Sequence, residues 1–289
     1  MRIQRLFGSF SIFVLLAGCA MSPQPEPVAP PPRPVANTTP LAAAEPATST
    51  VAPAPAAAAA PPASDPLESA VAANDRSADD RALDAGRKPV ELLRFAGIGP
   101  GQRVAELQAG GGYTAELLAR TVGPNGRVYG QNSPFVLKRF AEKPWSERLL
   151  KPVMANVTRV DRELDDPLPP DATHLDAVFL VMFYHDAVWQ KVDRVKMNAA
   201  IFRALKPGGV YLVVDHSAKA GTGLADAETL HRIEEPVLKK EILAAGFRLE
   251  AEAPFLKNAA DTRDWSTSPR VVGERRGTSD RFVLKFVKP

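Results

Sequence analysis

A short apolar run, a triple glycine and a helical pattern follow one another directly between residues 103 and 122. The apolar run at 103–108 predicts a strand, and the pattern at 113–122 predicts a helix. The glycines between them allow a tight turn and let the backbone approach a ligand without a Cβ in the way. A strand that turns at once into a helix is the building unit of an α/β fold, so this segment constrains the fold most strongly.

The same alternation continues along the chain. Because parallel strands need helical crossovers, the pattern predicts a Rossmann-like, doubly wound, mostly parallel sheet that ends in a C-terminal antiparallel hairpin. The predicted strands are 103–108, 127–131, 156–160, 175–182 and 210–215, followed by the hairpin pair 247–255 and 281–288. The predicted helices are one or two within 78–95 split around Pro89, then 113–122, 134–150 with a break at Pro144, 188–205 and 236–245.

The N-terminus has the layout of a secretory signal. Arg2 and Arg5 precede an apolar run that is too short to span a bilayer, and small residues close this run. Cys19, the one cysteine of the chain, follows directly. This arrangement resembles the lipobox of bacterial lipoproteins, which implies a signal peptide at 1–18 and acylation of Cys19. Since Ala20 follows the cysteine, the resemblance implies a periplasmic protein anchored to the outer membrane.

A segment rich in proline and alanine separates this signal from the rest of the chain. Residues 21–66 hold half of the chain's 28 prolines and almost no charge. Such a composition cannot bury enough apolar surface to fold and favours an extended spacer. We therefore expect a disordered linker at 19–74 and one folded domain at 75–289. The small net charge of +3 and the lack of a long basic run give no support to nucleic-acid binding.

The segment from Glu106 to Tyr113 lies where ligands bind in a doubly wound sheet, beyond the carboxyl end of a strand. It resembles motif I of class I S-adenosylmethionine-dependent methyltransferases, in which an acid precedes a glycine-rich loop. Gln108 stands at the first glycine of that pattern, and the second strand ends in two amides where the family has an acid for the ribose. The resemblance implies S-adenosylmethionine as the cofactor and these binding residues: Glu106, Gln108, Gly110, Gly111, Gly112, Tyr113, Gln131 and Asn132.

Further segments resemble a group of predicted secreted bacterial methyltransferases, and the resemblance runs from about Arg76 to the C-terminus. The segments that carry it are 84–89, 181–186, 204–210, 215–217 and 229–234. Together they imply a methyltransferase whose acceptor is a small molecule or a component of the cell envelope.

His185, His216 and His231 fall at or after predicted strand ends, beside acids such as Asp215, whereas His174 does not. Histidine suits general base catalysis near neutral pH, so we assign His185, Asp215, His216 and His231 as candidate catalytic residues. The competing interpretation is that the histidines cap strand ends and satisfy buried backbone groups. No HxxxH or HxH spacing occurs, so a metal site is not expected.

Three functions compete on these observations. The first is methyl transfer from S-adenosylmethionine, and the second is a methyltransferase-like fold reused as a periplasmic binding or scaffold protein. The third is an NAD-dependent oxidoreductase, because Gly110-x-Gly112-x-x-Ala115 fits the dinucleotide fingerprint. The last lacks the acid after the second strand and explains the terminal hairpin poorly. The catalytic hypothesis expects the glycine turn and the histidines to line one hollow at the carboxyl edge of the sheet.

Overall fold

The computed structural model describes residues 65–289. The predicted signal peptide, Cys19 and the linker up to residue 64 lie outside the described residues. Across 65–289, none of the helices combines the length and the apolar character that a bilayer crossing requires.

Helices and strands alternate through the central part of this region, as the sequence predicts. The helices are α1 Pro66–Val71, α2 Ala78–Arg87, α3 Pro89–Ala96, α4 Tyr113–Val122, α5 Pro134–Val136, α6 Glu142–Leu149, α7 Tyr184–Trp189, α8 Arg194–Ala204 and α9 Glu235–Ala244. The strands are β1 Arg103–Leu107, β2 Arg127–Asn132, β3 Val157–Asp161, β4 Leu175–Val181, β5 Leu205–His216, β6 Arg248–Ala253 and β7 Arg281–Val287. A π-helical turn at Leu137–Ala141 and single 3-10 turns at Pro152–Met154 and Gly273–Arg275 complete the set.

The seven strands form one sheet in the order β3-β2-β1-β4-β5-β7-β6. The first five strands of this order are parallel, and β7 runs antiparallel to both β5 and β6. The predicted fold class is therefore confirmed, including the antiparallel pair at the C-terminus. Since β1, β2, β4 and β5 are parallel, their carboxyl ends meet at one edge of the sheet.

Helices cover both faces of the sheet, and each face has its own apolar core. Successive side chains of β1 show the division: Val104 packs into one core cluster, whereas Ala105 and Leu107 pack into the other. The interior residues of β4 from Ala177 to Leu180 are fully buried. A strand that is covered on both faces gains stability from apolar burial along its whole length, which explains its nearly continuous apolar sequence.

The N-terminal helices pack beside α4 on one face. Pro89 begins α3 after Lys88, whose φ of 45° ends α2, so the predicted division at Pro89 is confirmed. α1 precedes residue 75 and was not predicted. Its Leu67 and Val71 pack against the core cluster that also contains Val104.

The continuous helix predicted at 188–205 is wrong. The chain forms α7 and α8 instead, and Lys191, with a φ of 57°, lies in the break between them. Asp193 then caps α8 by accepting a hydrogen bond from the backbone N–H of Lys196 at 3.0 Å. The break rotates α8 relative to the predicted apolar stripe, so Val195 is 80 % exposed while Met197 and Ile201 are buried.

The helical break predicted at Pro144 lies upstream of that residue. Pro144 falls in the first turn of α6, where a missing N–H removes no helical hydrogen bond. The π-helical turn at Leu137–Ala141 absorbs the distortion just before it. As a result, α6 lies against the turn that follows β1.

Candidate functional site

Residues 108–112 form the turn that carries the chain from β1 into α4. The φ values are 53° at Gln108, 57° at Gly110 and 83° at Gly112. Glycine adopts this left-handed region freely, whereas glutamine pays a steric penalty there. Gln108 is also buried, and its side-chain Nε2 has no hydrogen-bond partner. A strained backbone and an unpaired buried donor at one residue mark this turn as a site where a ligand is expected.

The two amides that end β2 are fully buried and bonded to the protein itself. Asn132 accepts a hydrogen bond from the N–H of Gly110 at 2.8 Å and donates one to its carbonyl at 3.1 Å. Gln131 accepts from the N–H of Gln108 at 3.0 Å and donates to the carbonyl of Arg162 at 2.6 Å. Because both amides are fully buried and held by the protein, neither presents an exposed group to a ribose in this arrangement.

Helix α6 covers the outer side of the glycine turn. A Cβ on Gly112 would lie 2.5 Å from the ring of Trp145 and 2.7 Å from the Arg148 side chain. The Arg148 Nε donates to the carbonyl of Gly111. Gly112 is therefore required both for its φ and for the close approach of α6, while no atom lies within 4 Å of the Cβ position at Gly110.

A cavity lies beside the turn, under α2 and α3. Its free space is about 10 Å³, which is room for about one water molecule. Most of its wall is apolar and comes from α3, α4 and the ends of β4 and β5. The lining residues are Arg87, Pro89, Leu92, Leu93, Tyr113, Thr114, Leu117, Val181, Met182, Val214, Leu256 and Arg281.

Two arginines supply the charge of this cavity. Arg281 is 4 % exposed, and its guanidinium donates to the carbonyls of Gly277 and Ser279. The guanidinium of Arg87 lies 4.4 Å from the centre of the Tyr113 ring. Among the described residues, neither arginine has a carboxylate within 4.0 Å. Burial lowers the pKa of Arg87, and burial together with the neighbouring Arg87 lowers the pKa of Arg281 to about 10.

Glu106, the predicted acid of the glycine motif, lies behind the cavity wall. It is 4 % exposed, and its Oε2 has no hydrogen-bond partner. Burial raises its pKa to about 7, against a hydrogen bond from Thr114 and the positive charge of Arg87. Near neutral pH this carboxyl group is therefore poised between its neutral and charged forms.

A polar network that the sequence did not predict ties α2 to α4. The hydroxyl of Tyr113 donates to Asp84 at 2.6 Å, and Arg76 binds the same carboxylate through two hydrogen bonds at 2.7 and 2.8 Å. Arg148 of α6 binds Asp80 through two more, at 2.6 and 2.9 Å. Tyr113 is 29 residues from Asp84 and Arg148 is 68 residues from Asp80, so no local pattern could have revealed these contacts.

His185 and Asp215 form a buried pair beyond the ends of β4 and β5. The Nδ1 of His185 lies 2.6 Å from Asp215 Oδ1. The Asp215 carboxylate also accepts the backbone N–H groups of His185 at 2.8 Å and of His216 at 2.7 Å. The carboxylate therefore fixes the imidazole ring and leaves its Nε2 to face other groups.

Asp186 and His231 lie on the Nε2 side of His185. Asp186 Oδ1 lies 3.4 Å from His185 Nε2 and 3.2 Å from His231 Nδ1, and it accepts from Trp189 Nε1 at 2.5 Å. The ring centres of His185 and His231 are 5.4 Å apart. His231 has a φ of 52°, in the left-handed region that a non-glycine residue seldom adopts.

His216 completes the cluster from the end of β5. Its ring centre lies 5.7 Å from that of His185, and its Nδ1 lies 2.8 Å from the hydroxyl of Ser279. Burial and the neighbouring His185 ring hold the pKa of His216 well below its usual value. The three predicted histidines therefore converge, whereas His174 is exposed and lies apart from them.

The expectation that the glycine turn and the histidines line one hollow is wrong. None of the three histidines lines the cavity beside the turn. Val214 lines that cavity, and the next residue, Asp215, holds His185. Because consecutive strand residues point to opposite faces, Asp215 and the His185 that it holds lie on the face opposite Val214. His216 is two residues after Val214 in β5 and pairs with the cavity residue Arg281, so it lies at the same sheet edge between the cavity and His185.

No protein family model matches the chain. A methyltransferase from Aquifex aeolicus, described as SAM dependent, has a TM-score of 0.51 at 16 % identity and aligns with 73 % of this chain and 97 % of its own. A putative sarcosine dimethylglycine methyltransferase from Galdieria sulphuraria has a TM-score of 0.51 at 17 % identity and aligns with 77 % of this chain and 90 % of its own. The [4+2]-cyclase SpnF has a TM-score of 0.51 at 16 % identity and aligns with 78 % of this chain and 92 % of its own. The described region therefore has the fold of class I methyltransferases.

Proposed function

We propose that this chain binds S-adenosylmethionine in the cavity beside the glycine turn and transfers its methyl group to an acceptor from the cell envelope or to a small molecule. The observation that carries the proposal is a pair of arginines, the buried Arg281 and the half-buried Arg87, which line the cavity with no carboxylate of the described residues within 4.0 Å. A buried charge needs a counter-charge. The carboxylate of the methionine part would supply it.

The acid behind the wall supports the same assignment. Glu106 has an unpaired oxygen beside Thr114 and near Arg87, and its pKa of about 7 lets it become charged when a cation approaches. An amino acid head group carries one ammonium and one carboxylate. Arginine on one side and glutamate on the other match that pair of charges.

The ribose end of the cofactor fits less well. Asn132 occupies the position of the ribose acid, but both its amide oxygen and its amide nitrogen are hydrogen-bonded to the backbone of Gly110. Binding therefore requires Asn132 to release Gly110 and requires the cavity to widen.

When bound, the cofactor supplies an electrophilic methyl group, so the protein's task is chiefly to orient the acceptor. Met182 lines the cavity, and the chain crosses to the histidine cluster within the next three residues. We assign His185, Asp215, His216 and His231 to the acceptor side of the reaction. Their convergence at the sheet edge supports this assignment.

Calorimetric titration with S-adenosylhomocysteine and S-adenosylmethionine tests the proposal. The full chain with Cys19→Ser should bind both ligands, and Arg87→Gln should weaken binding by about tenfold or more, because a charge-assisted contact is lost. Arg248→Gln is the matched control, since its side chain is 65 % exposed on β6. If the Cys19→Ser chain with Arg87 intact binds neither ligand at millimolar concentration, the proposal is rejected.

A second candidate is a binding or scaffold protein that has kept the fold without methyl transfer. The bonded Asn132–Gly110 pair and the small cavity favour it. One neighbour with this fold is named as a cyclase, so the fold does not fix the reaction. Release of S-adenosylhomocysteine on incubation with S-adenosylmethionine and an envelope extract separates the two, because only the enzyme produces it.

We also propose that Cys19 is acylated and holds the folded region on the periplasmic side of the outer membrane. The lipobox-like position of the cysteine and the proline-rich segment after it support this. Metabolic labelling with an alkynyl fatty acid should mark the wild-type chain. Cys19→Ser should abolish the label and release the chain from membranes. A wild-type chain that carries no label and is recovered in the soluble fraction would contradict the proposal.

A further inference from the structure

We propose that His185, Asp186 and His231 bind a divalent transition metal of the zinc class. Each of the three residues offers one ligand atom, and these atoms all lie within 4.8 Å of one another. Imidazole and carboxylate ligands together suit zinc, and three protein ligands leave a fourth position open. The site does not depend on methyl transfer or on the adenosyl ligand.

The spacing of the ligand atoms matches a tetrahedral ion. Zinc bonds of about 2.0–2.2 Å place neighbouring ligand atoms roughly 3.3 Å apart in a tetrahedron. Asp186 Oδ1 lies 3.4 Å from His185 Nε2 and 3.2 Å from His231 Nδ1. An ion therefore fits between these atoms with small side-chain adjustments.

Asp215 orients the first ligand. Its carboxylate is held by two backbone N–H groups and lies 2.6 Å from His185 Nδ1. This contact keeps the ring proton on Nδ1 and turns the Nε2 lone pair toward Asp186. A carboxylate, histidine and metal in series is the usual support for a metal-binding histidine.

Asp186 and His231 are also held in place. Trp189 Nε1 donates to Asp186 Oδ1, and the hydroxyl of Thr267 donates to the carbonyl of His231 at 2.8 Å. His231 keeps a left-handed φ of 52° in this position, and its side chain is 22 % exposed. Backbone strain is common at functional sites, and the partial exposure gives an ion a path of entry.

The competing explanation is a purely hydrogen-bonded cluster. With the ring proton of His185 on Nδ1, its Nε2 lone pair faces a carboxylate oxygen, and two acceptors repel each other unless a cation lies between them. Either a second ring proton or a metal ion provides that cation. Metal titration separates the two, because a hydrogen-bonded cluster takes up no ion.

The test uses the full chain with Cys19→Ser, purified without a histidine tag and treated with chelator. Titration with Zn²⁺ against a chromophoric chelator should show one ion per chain, and Co²⁺ should give the visible absorption of a tetrahedral complex. Asp186→Asn and His231→Gln should each weaken binding by about tenfold or more. His174→Asn, at an exposed histidine with a φ of 54°, should leave binding unchanged.

Circular dichroism confirms that each variant is folded, and Asp186→Asn preserves the shape of the side chain if His231→Gln does not fold. Structural zinc sites bind the ion far more tightly than is needed to fill them at metal concentrations on the order of 100 micromolar. Failure of the chain to bind Zn²⁺ or Co²⁺ at such concentrations would overturn the proposal. Equal affinity in Asp186→Asn and the parent chain would overturn it as well.

Discussion

Asn132 and Gly110 are joined by two hydrogen bonds, one in each direction between the side-chain amide and the backbone. The pair fastens the end of β2 to the glycine turn at the point where a ribose would lie. These hydrogen bonds stabilise the turn. They also engage the Asn132 amide, which is the group that would contact the proposed cofactor.

Asn132→Asp should lower stability and raise the affinity for S-adenosylhomocysteine. The carboxylate loses the donor to the Gly110 carbonyl, which costs about 1–3 kcal/mol for a buried group, and is freer to accept ribose hydroxyls. Asn156→Asp is the matched control, because its amide donates to the carbonyls of Ala119 and Gly123 at the other end of α4. Denaturant unfolding and calorimetry measure both effects, and equal affinity changes in the two variants would contradict this role.

Glu106 should make the protein less stable as pH rises toward neutrality. Its pKa is about 7 in the folded chain and near 4.5 in the unfolded chain, so the folded state binds more protons between these values. Stability therefore falls as pH rises from about 4.5 to 7, and linkage gives a loss of about 3 kcal/mol.

Unfolding free energies in urea at pH 5 and pH 8 test this dependence. Glu106→Gln should remove most of it, since the amide does not titrate. Glu147→Gln, at a side chain that is 64 % exposed, should keep the dependence of the parent chain. Parallel pH profiles for Glu106→Gln and the parent would show that Glu106 does not titrate as proposed.

Gly130→Ala should destabilise the fold through Trp145. A Cβ at residue 130 would lie 2.6 Å from the ring of Trp145, which is fully buried. Overpacking of this kind costs about 1–3 kcal/mol. Gly99→Ala is the control, because nothing lies within 4 Å of its Cβ position. Chemical denaturation should show a loss for residue 130 and little change for residue 99; similar values for both would mean that α6 moves aside freely.

Asp215→Asn should weaken Zn²⁺ binding although Asp215 is not a proposed ligand. The amide no longer fixes His185 with its ring proton on Nδ1, and loss of such support costs about 10–100-fold in metal affinity. Asp280→Asn is the control, since Asp280 is also buried and accepts the backbone N–H of Asn258 at 2.8 Å but contacts no histidine. An unchanged affinity in Asp215→Asn would show that the orientation of His185 is set by other contacts.

Local patterns predicted the sheet and most of its helices because periodicity and turn residues act over short distances. The helix Tyr113–Val122 has the predicted bounds, and the division at Pro89 is present. The helix predicted across Lys191 is divided because the chain turns at that residue to reach α8. A left-handed lysine has no signature in the sequence.

The candidate site was predictable only in part. Strand ends place His185 and His216 at the same edge, so their approach follows from topology. The face on which each side chain lies depends on strand register, and a shift of one residue moves a side chain to the opposite face. The contact of Trp145 with Gly112 and the burial of Arg281 without a carboxylate partner within residues 65–289 depend on long-range packing, which no local pattern carries.

A crystal structure of the chain grown with S-adenosylhomocysteine tests the central claim most directly. The predicted result is one ligand beside the glycine turn, with its carboxylate on Arg87 or Arg281 and with Asn132 released from Gly110. Crystals grown at saturating ligand with the arginines unliganded and the Asn132–Gly110 hydrogen bonds intact would contradict it.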